Sequence, residues 1–252
     1  MLTGHAGLIA TEFTYRKDEE IYGEDEPAEY VYQVIRGAVR TYKLLSDGRR
    51  QIGAFHLPGD VFGLESGDAH RLAAEAILDT TLRLVKRKSL EQSAQSDVRV
   101  ARDLWSITSG ELQHAENHML LLGRKTAMER VATFLLEMDR RLAKTGMIAL
   151  PMCRRDIGDY LGLTLETVSR ALSELQQQGV LGLSGARQVM LRNRDRLASP
   201  EAGFLAALFP PSLPELGLPA DPVGSFFFWG RPRRESPPAQ LGAAACSRGY
   251  PL

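Results

Sequence analysis

Between Ile21 and Val85 the apolar residues come in short runs separated by turn formers: Gly37, Ser46-Asp47-Gly48, Pro58-Gly59-Asp60 and Ser66-Gly67-Asp68. Within the runs, as in VYQVIRGAVRTYKLL, polar and apolar positions alternate. A period of two marks a strand with one buried face. The Asp47-Gly48 pair that separates this run from RRQIGAF is a hairpin signal, because both residues tolerate the left-handed backbone of tight hairpin turns. Many short strands at this spacing predict a small sandwich or barrel.

At Ser89 the period changes. Ser89-Leu90-Glu91-Gln92 reads as a helix-capping box, and no proline follows until Pro151, so helices take over. Trp105, Thr108, Leu112, Ala115, Met119 and Leu122 fall at the a and d positions of a heptad. A seam this narrow suits two parallel helices and predicts a homodimer. The same seam could also pack on the chain's own barrel. A second helix, over 125–143, carries a wide apolar face of Met128, Val131, Ala132, Leu135, Leu136 and Met138 and belongs to a globular core. The strand-like MIALP follows, then two short helices, then a hairpin from Val180 to Leu191 broken at Ser184-Gly185-Ala186.

The last fifty residues break all of these patterns. Ten of the thirteen prolines lie between Pro200 and Pro251, without periodicity, which predicts an irregular or disordered tail over 201–252. The remaining divisions are a β-rich domain over 1–96, a dimerisation helix over 97–123 and a second, helix-rich domain over 124–200.

Composition narrows the function. No apolar run approaches the roughly 20 residues that cross a bilayer, and the N-terminus lacks the basic start and apolar segment of a secretory signal. A cytoplasmic protein is expected. Two cysteines, Cys153 and Cys246, exclude a disulfide framework and leave no cysteine-built metal site. Glycine-rich phosphate loops, metal-binding histidine pairs and nucleophile elbows are missing, and the carboxylates Glu19-Glu20 and Glu24-Asp25-Glu26 read as a solvated acidic stretch, so no enzyme is expected. The formal net charge of zero conceals an asymmetry: residues 1–122 hold 14 Lys/Arg against 19 Asp/Glu, while 123–198 hold 13 against 8. The basic excess lies where phosphates would be met.

That region contains CRRDIGDYLGLTLETVSRALSELQQQGVL, residues 153–181, which reads as a helix-turn-helix. Ile157, Tyr160 and Leu161 form the inner face of a first short helix, which Gly162 stops. Thr164 can cap the second helix, whose Val168, Leu172 and Leu175 bury one side. Glu166, Thr167, Ser169 and Arg170 lie on the other side, in the first two turns, where a recognition helix meets base edges. Arginine can donate twice to guanine and glutamate can accept from cytosine N4, so Arg170 and Glu166 together could read one G·C pair. The plain alternative is a solvated i,i+4 ion pair. Arg154, Arg155, Thr164, Thr167 and Arg187 are candidates for phosphate contacts. Cys153 stands at the apparent N-cap of the first helix, beside two arginines, where a thiolate is favoured and oxidation would face DNA phosphate with a negative charge.

The FHLPGDVFG stretch, the long helix, LLGRKTAMERVATFLLEM and DIGDYLGLTLETVSRALSELQQQGVL together resemble the Crp/Fnr superfamily over roughly residues 12–198. The resemblance implies an α+β fold: an N-terminal cyclic-nucleotide-binding-like β-roll, a long dimerisation helix and a C-terminal winged helix-turn-helix. It implies a transcription regulator that contacts RNA polymerase. An E-x-x-S-R recognition helix in this family reads a TTGAT-type half-site, and Glu166, Ser169 and Arg170 match it. Where cyclic-AMP-responsive members carry a further base-reading arginine this chain has Leu165. GLES, residues 63–66, and HRLA, residues 70–73, stand where nucleotide-binding members keep Gly-Glu-Leu and an Arg-Ser or Arg-Thr phosphate clamp, so no cyclic nucleotide is expected. Iron–sulfur members need cysteines ahead of Cys153, and His5, His56, His70, His114 and His118 show no haem-ligand arrangement. No cofactor is therefore implied, and the pattern is similar to the FixK branch, whose members act as activators without an effector. A β-roll gated by some other small molecule is the alternative.

Overall fold

The computed structural model describes residues 9–142 and 147–198; the tail over 201–252, with Cys246, and His5 lie outside the described residues. Eight strands fill the N-terminal part: β1 Ala10–Tyr15, β2 Glu20–Tyr22, β3 Tyr30–Arg36, β4 Val39–Leu44, β5 Arg50–His56, β6 Val61–Phe62, β7 Ala73–Ala76 and β8 Thr80–Lys86. They pair antiparallel into two four-stranded sheets, ordered β1-β8-β3-β6 and β2-β7-β4-β5. Val34, Val39, Phe62, Ala74, Leu82 and Leu84 close the space between them, with Tyr22 stacked on His70.

Two helices follow, α1 Arg87–Ser96 and α2 Val98–Arg124. The capping box expected at Ser89 does not form: α1 begins at Arg87, behind an N-cap Lys86 that makes no side-chain bond. The reason is continuity. Strand β8 runs straight into the helix, and the Arg87 amide is already taken by the Glu29 carbonyl at 2.9 Å, so Ser89 falls inside the first turn. Asp97 instead caps α2, accepting from the Arg99 amide at 2.9 Å.

Helix α2 has two apolar faces. Val100, Leu104 and Ile107 pack with Val31 and Val85 of the β-roll and Leu90 of α1. Trp105, Leu112 and Met119 are 77%, 61% and 67% exposed, and Thr108 and Ala115 are exposed with them, while Leu122 is half-buried. The heptad seam therefore does not pack on its own barrel; the other stripe does.

Helix α3, Ala127–Leu142, is started by a reciprocal cap in which the Thr126 amide donates to Glu129 at 2.7 Å and the Glu129 amide to the Thr126 hydroxyl at 3.3 Å. The turn between α2 and α3 is held by Arg130, whose guanidinium donates to the carbonyls of Leu122, Lys125 and Leu161 at 2.7, 3.0 and 2.9 Å. A three-stranded antiparallel sheet, ordered β10-β11-β9, is built from β9 Met147–Ala149, β10 Leu181–Leu183 and β11 Gln188–Leu191. It flanks the two helices α4 Arg154–Leu161 and α5 Leu165–Gln177, with the short α6 Arg194–Leu197 behind them. The fold is α+β, a β-roll joined by a long helix to a winged helix-turn-helix.

Candidate nucleic-acid interface

The two helices meet through two glycines. Gly162 ends α4 in the left-handed region, at φ 63°, which a side chain would resist. A Cβ on Gly158 would stand 2.7 Å from the Leu163 carbonyl oxygen, so only glycine lets the turn fold back on α4. Thr164 caps α5, its hydroxyl accepting from the Thr167 amide at 3.2 Å. Val168, Ala171, Leu172 and Leu175 bury one side of α5.

The opposite side is open to solvent. Glu166 and Arg170 are exposed and Ser169 is partly so, all within the first two turns. The Glu166 carboxyl is held below the ordinary carboxylate range by its own backbone N–H and the Thr164 hydroxyl, helped by the positive charges of Arg170 and Arg155. It stands ionised beside Arg170, as an acceptor that can also orient the guanidinium. Arg154 donates to the Ser169 hydroxyl at 3.3 Å and so reaches the open side of α5 from α4, whereas Arg155 is exposed. Arg187 donates to the Pro151 carbonyl at 3.0 Å, which ties the β10–β11 wing to the entry of α4. Thr164 and Thr167 hydroxyls lie 3.1 Å apart at the α5 N-terminus.

Cys153 is the N-cap of α4, as its position in the sequence suggests. Its surroundings differ from the cationic setting expected there. Both its amide and its thiol donate to Asp156 Oδ2, each at 3.1 Å, so the group nearest the sulfur is an anion.

Sequence reasoning missed Asp156 and Asp159 on α4, and Arg40 and Arg50 of the β-roll, which meet them. Arg40 falls at a polar position of an alternating strand, and Asp156 and Asp159 lie in a short helix far along the chain, so no local pattern marks them as partners. Among the described residues, no cluster of His, Cys, Asp or Glu is placed to hold a metal, and no helix is long and apolar enough to cross a membrane.

Residues 12–97 match the cyclic nucleotide-binding domain family, and residues 129–199 match the Crp-like helix-turn-helix domain family. The chain is 48% identical over 194 residues to the nitrogen fixation regulation protein FixK of Azorhizobium caulinodans, covering 75% of this chain and 78% of the relative. To the FixK of Rhizobium meliloti it is 41% identical over 186 residues, covering 74% and 85%. The crystal structure of FixK2 from Bradyrhizobium japonicum superposes with a TM-score of 0.74 at 82% identity, over 75% of this chain and 96% of that one. Such relatives regulate transcription and are not enzymes. With an E-x-x-S-R helix displayed on a winged helix-turn-helix and relatives of this similarity, the chain belongs to the Crp/Fnr superfamily and is a DNA-binding transcription regulator of its FixK-like group.

Proposed function

We propose that the chain is a cytoplasmic homodimeric activator that reads a TTGAT-type inverted repeat without a small-molecule effector. Its targets are genes of microaerobic or anaerobic respiration or nitrogen fixation, where it contacts RNA polymerase. The reading divides the chain into a sensor-like β-roll to residue 96, a dimer helix over 97–123 and a DNA-binding domain over 124–200. The observation that carries it is α5, which exposes Glu166, Ser169 and Arg170 with the glutamate ionised beside the arginine. Arg154, Arg155, Thr164, Thr167 and Arg187 serve as phosphate contacts around it. Trp105, Thr108, Leu112, Ala115, Met119 and Leu122 form the dimer seam; the exposure of its large apolar residues in a single chain supports that role. Effector independence is supported by Glu65 and Arg71, which occupy the two stretches where nucleotide-binding members hold their ligand and here bond to each other at 2.8 Å.

In vitro transcription with purified RNA polymerase tests this reading. A promoter carrying the repeat should be activated by the reduced chain with no ligand added, and absence of activation would contradict it.

A second reading, a ligand-gated regulator, is favoured by one feature. A cavity of about 1420 Å³ lies between the β-roll and helices α2 and α3, lined by Thr41, Gln51, Glu65, Arg71, Glu111 and Arg141 among others. Its signature would be activation restored only by a small-molecule extract.

We further propose redox control through Cys153. Two equivalents of hydrogen peroxide convert the thiol to a sulfinic acid and leave two waters; once ionised, the product is an anion next to Asp156 and facing DNA phosphate. Peroxide should abolish DNA binding by the wild type and spare Cys153→Ser; equal loss in both rejects the switch.

A further inference from the structure

The first helix of the DNA-binding motif is bolted to the β-roll by charge. Arg40, the second residue of β4, is only 7% exposed, and Asp156 on α4 only 3%. Arg40 Nη1 donates to Asp156 Oδ1 at 3.3 Å, while its Nη2 donates to Asp18 at 3.3 Å and to Glu75. Arg50, the first residue of β5, donates through Nη2 to the same Asp156 oxygen at 2.6 Å. It also grips Asp159 one turn further along α4 with both Nε and Nη2, at 3.0 and 2.8 Å. Two guanidiniums thus bridge four carboxylates, two from the β-roll and two from α4. Gln51 adds a bond to the Tyr160 carbonyl at 3.3 Å, and Phe55 of β5 packs on Tyr160 at 5.1 Å between ring centroids.

The apolar part of this contact would let α4 slide or turn, because dispersion and hydrophobic burial have little direction. The guanidinium fork does not. Arg50 holds one oxygen of Asp159 through two nitrogens of one rigid plane and Asp156 through the outer of the two, so α4 is gripped at two points one turn apart and its rotation is resisted along with its sliding. The clamped side of α4 is also not the reading side: Glu166 and Arg170 stay exposed while the clamp is closed.

We infer that Arg40 and Arg50 of the β-roll are positioning residues for DNA readout, setting how the recognition helix is held relative to the dimer helix and hence which half-site spacing the protein accepts. They touch no base; they act through α4. The inference rests on the reading of the chain as a dimer on an inverted repeat. In such an assembly two recognition helices must reach the same face of the duplex about one turn apart. A domain tethered only by the α2–α3 turn and an apolar contact would tolerate several spacings. One fixed through buried charges would accept one.

The test uses the full-length reduced chain and fluorescence anisotropy at fixed salt. Three duplexes are compared: the inverted repeat, the same repeat with its half-sites moved apart by one base pair, and a single half-site. The variants are Arg50→Lys, which keeps the charge and loses the fork, and Arg50→Glu alone and combined with Asp159→Arg. Wild type should discriminate between the two spacings. Arg50→Lys and Arg50→Glu should lose about tenfold of that discrimination while holding the single half-site within about twofold, and the charge-reversed pair should regain it. Wild-type spacing preference in the single variants overturns the inference, as does an equal loss on all three duplexes with a lowered melting temperature, which would make the clamp a matter of folding alone. A wild-type chain that is monomeric or indifferent to spacing instead overturns the dimer reading itself, and the clamp's role falls with it.

Discussion

Asp156 is the residue on which most of the structure's local chemistry converges. One oxygen takes Arg40 and Arg50, and the other takes the amide and thiol of Cys153. Buried carboxylates persist only when paired and hydrogen-bonded, and this one is both. From the sequence it reads only as an ordinary acidic residue in the first turn of a helix, because its arginine partners lie more than a hundred positions away. The exposure of Glu166, Ser169 and Arg170 on α5 was legible for the opposite reason: it depends on spacing within one helix. His56 carries a pH consequence. Desolvation, with the charges of Arg141 and His114, pushes its imidazole down to about 3, and the ring sits against Phe62 with its Nε2 3.2 Å from the Thr41 hydroxyl. Below its unfolded pKa, near 6.5, the unfolded chain takes up a proton that the folded one refuses. Stability is therefore complete above about 6.5 and falls as the pH drops towards 3, by about 1 kcal/mol per pH unit for this group. Urea unfolding between pH 7.5 and 5 should show that slope, and His56→Gln should flatten it; identical slopes would contradict the assignment.

At the scale of elements, period decides what a sequence reveals. The alternation in β3 and β4, the Gly162 stop and the Thr164 cap all follow from residues close together in the chain. The start of α1 does not, because a strand running directly into a helix leaves no loop for a cap to mark. The Thr126–Glu129 cap of α3 carries a sequence signal, Thr-x-x-Glu, that the longer apolar pattern overshadowed. Helix α2 shows what spacing alone leaves open: two stripes are apolar enough to bury, and only packing says that Val100, Leu104 and Ile107 take the barrel and leave Trp105, Leu112 and Met119 outside. If that outer seam joins two chains, Leu112→Glu places like charges opposite each other at an a position and should convert the dimer to monomer by sedimentation velocity, with the circular dichroism unchanged. A variant that stays dimeric would place the interface elsewhere.

For the molecule as a whole, the charge division between residues 1–122 and 123–198 anticipates which part meets nucleic acid. It does not show that the two parts share one apolar core, in which Ile52, Phe55 and Leu57 of the β-roll pack with Leu135, Tyr160 and Leu161. Sequence patterns describe each element's own burial, and the choice of partner across a domain boundary has no period. That shared core, with the Arg40–Asp156 and Arg50–Asp159 clamp, holds the helix-turn-helix with α5 facing outward. The central proposal is that this chain reads its operator unaided, through α5. The measurement that tests it most directly is ligand-free binding of the reduced chain, at fixed salt, to a TTGAT inverted repeat and to the same duplex with both G·C pairs changed. Wild type should favour the intact repeat by at least about tenfold, and Arg170→Ala should erase that preference, as expected for loss of a contact worth about 1–3 kcal/mol. Equal binding of the two duplexes by the wild type, or a preference that survives Arg170→Ala, would contradict the account.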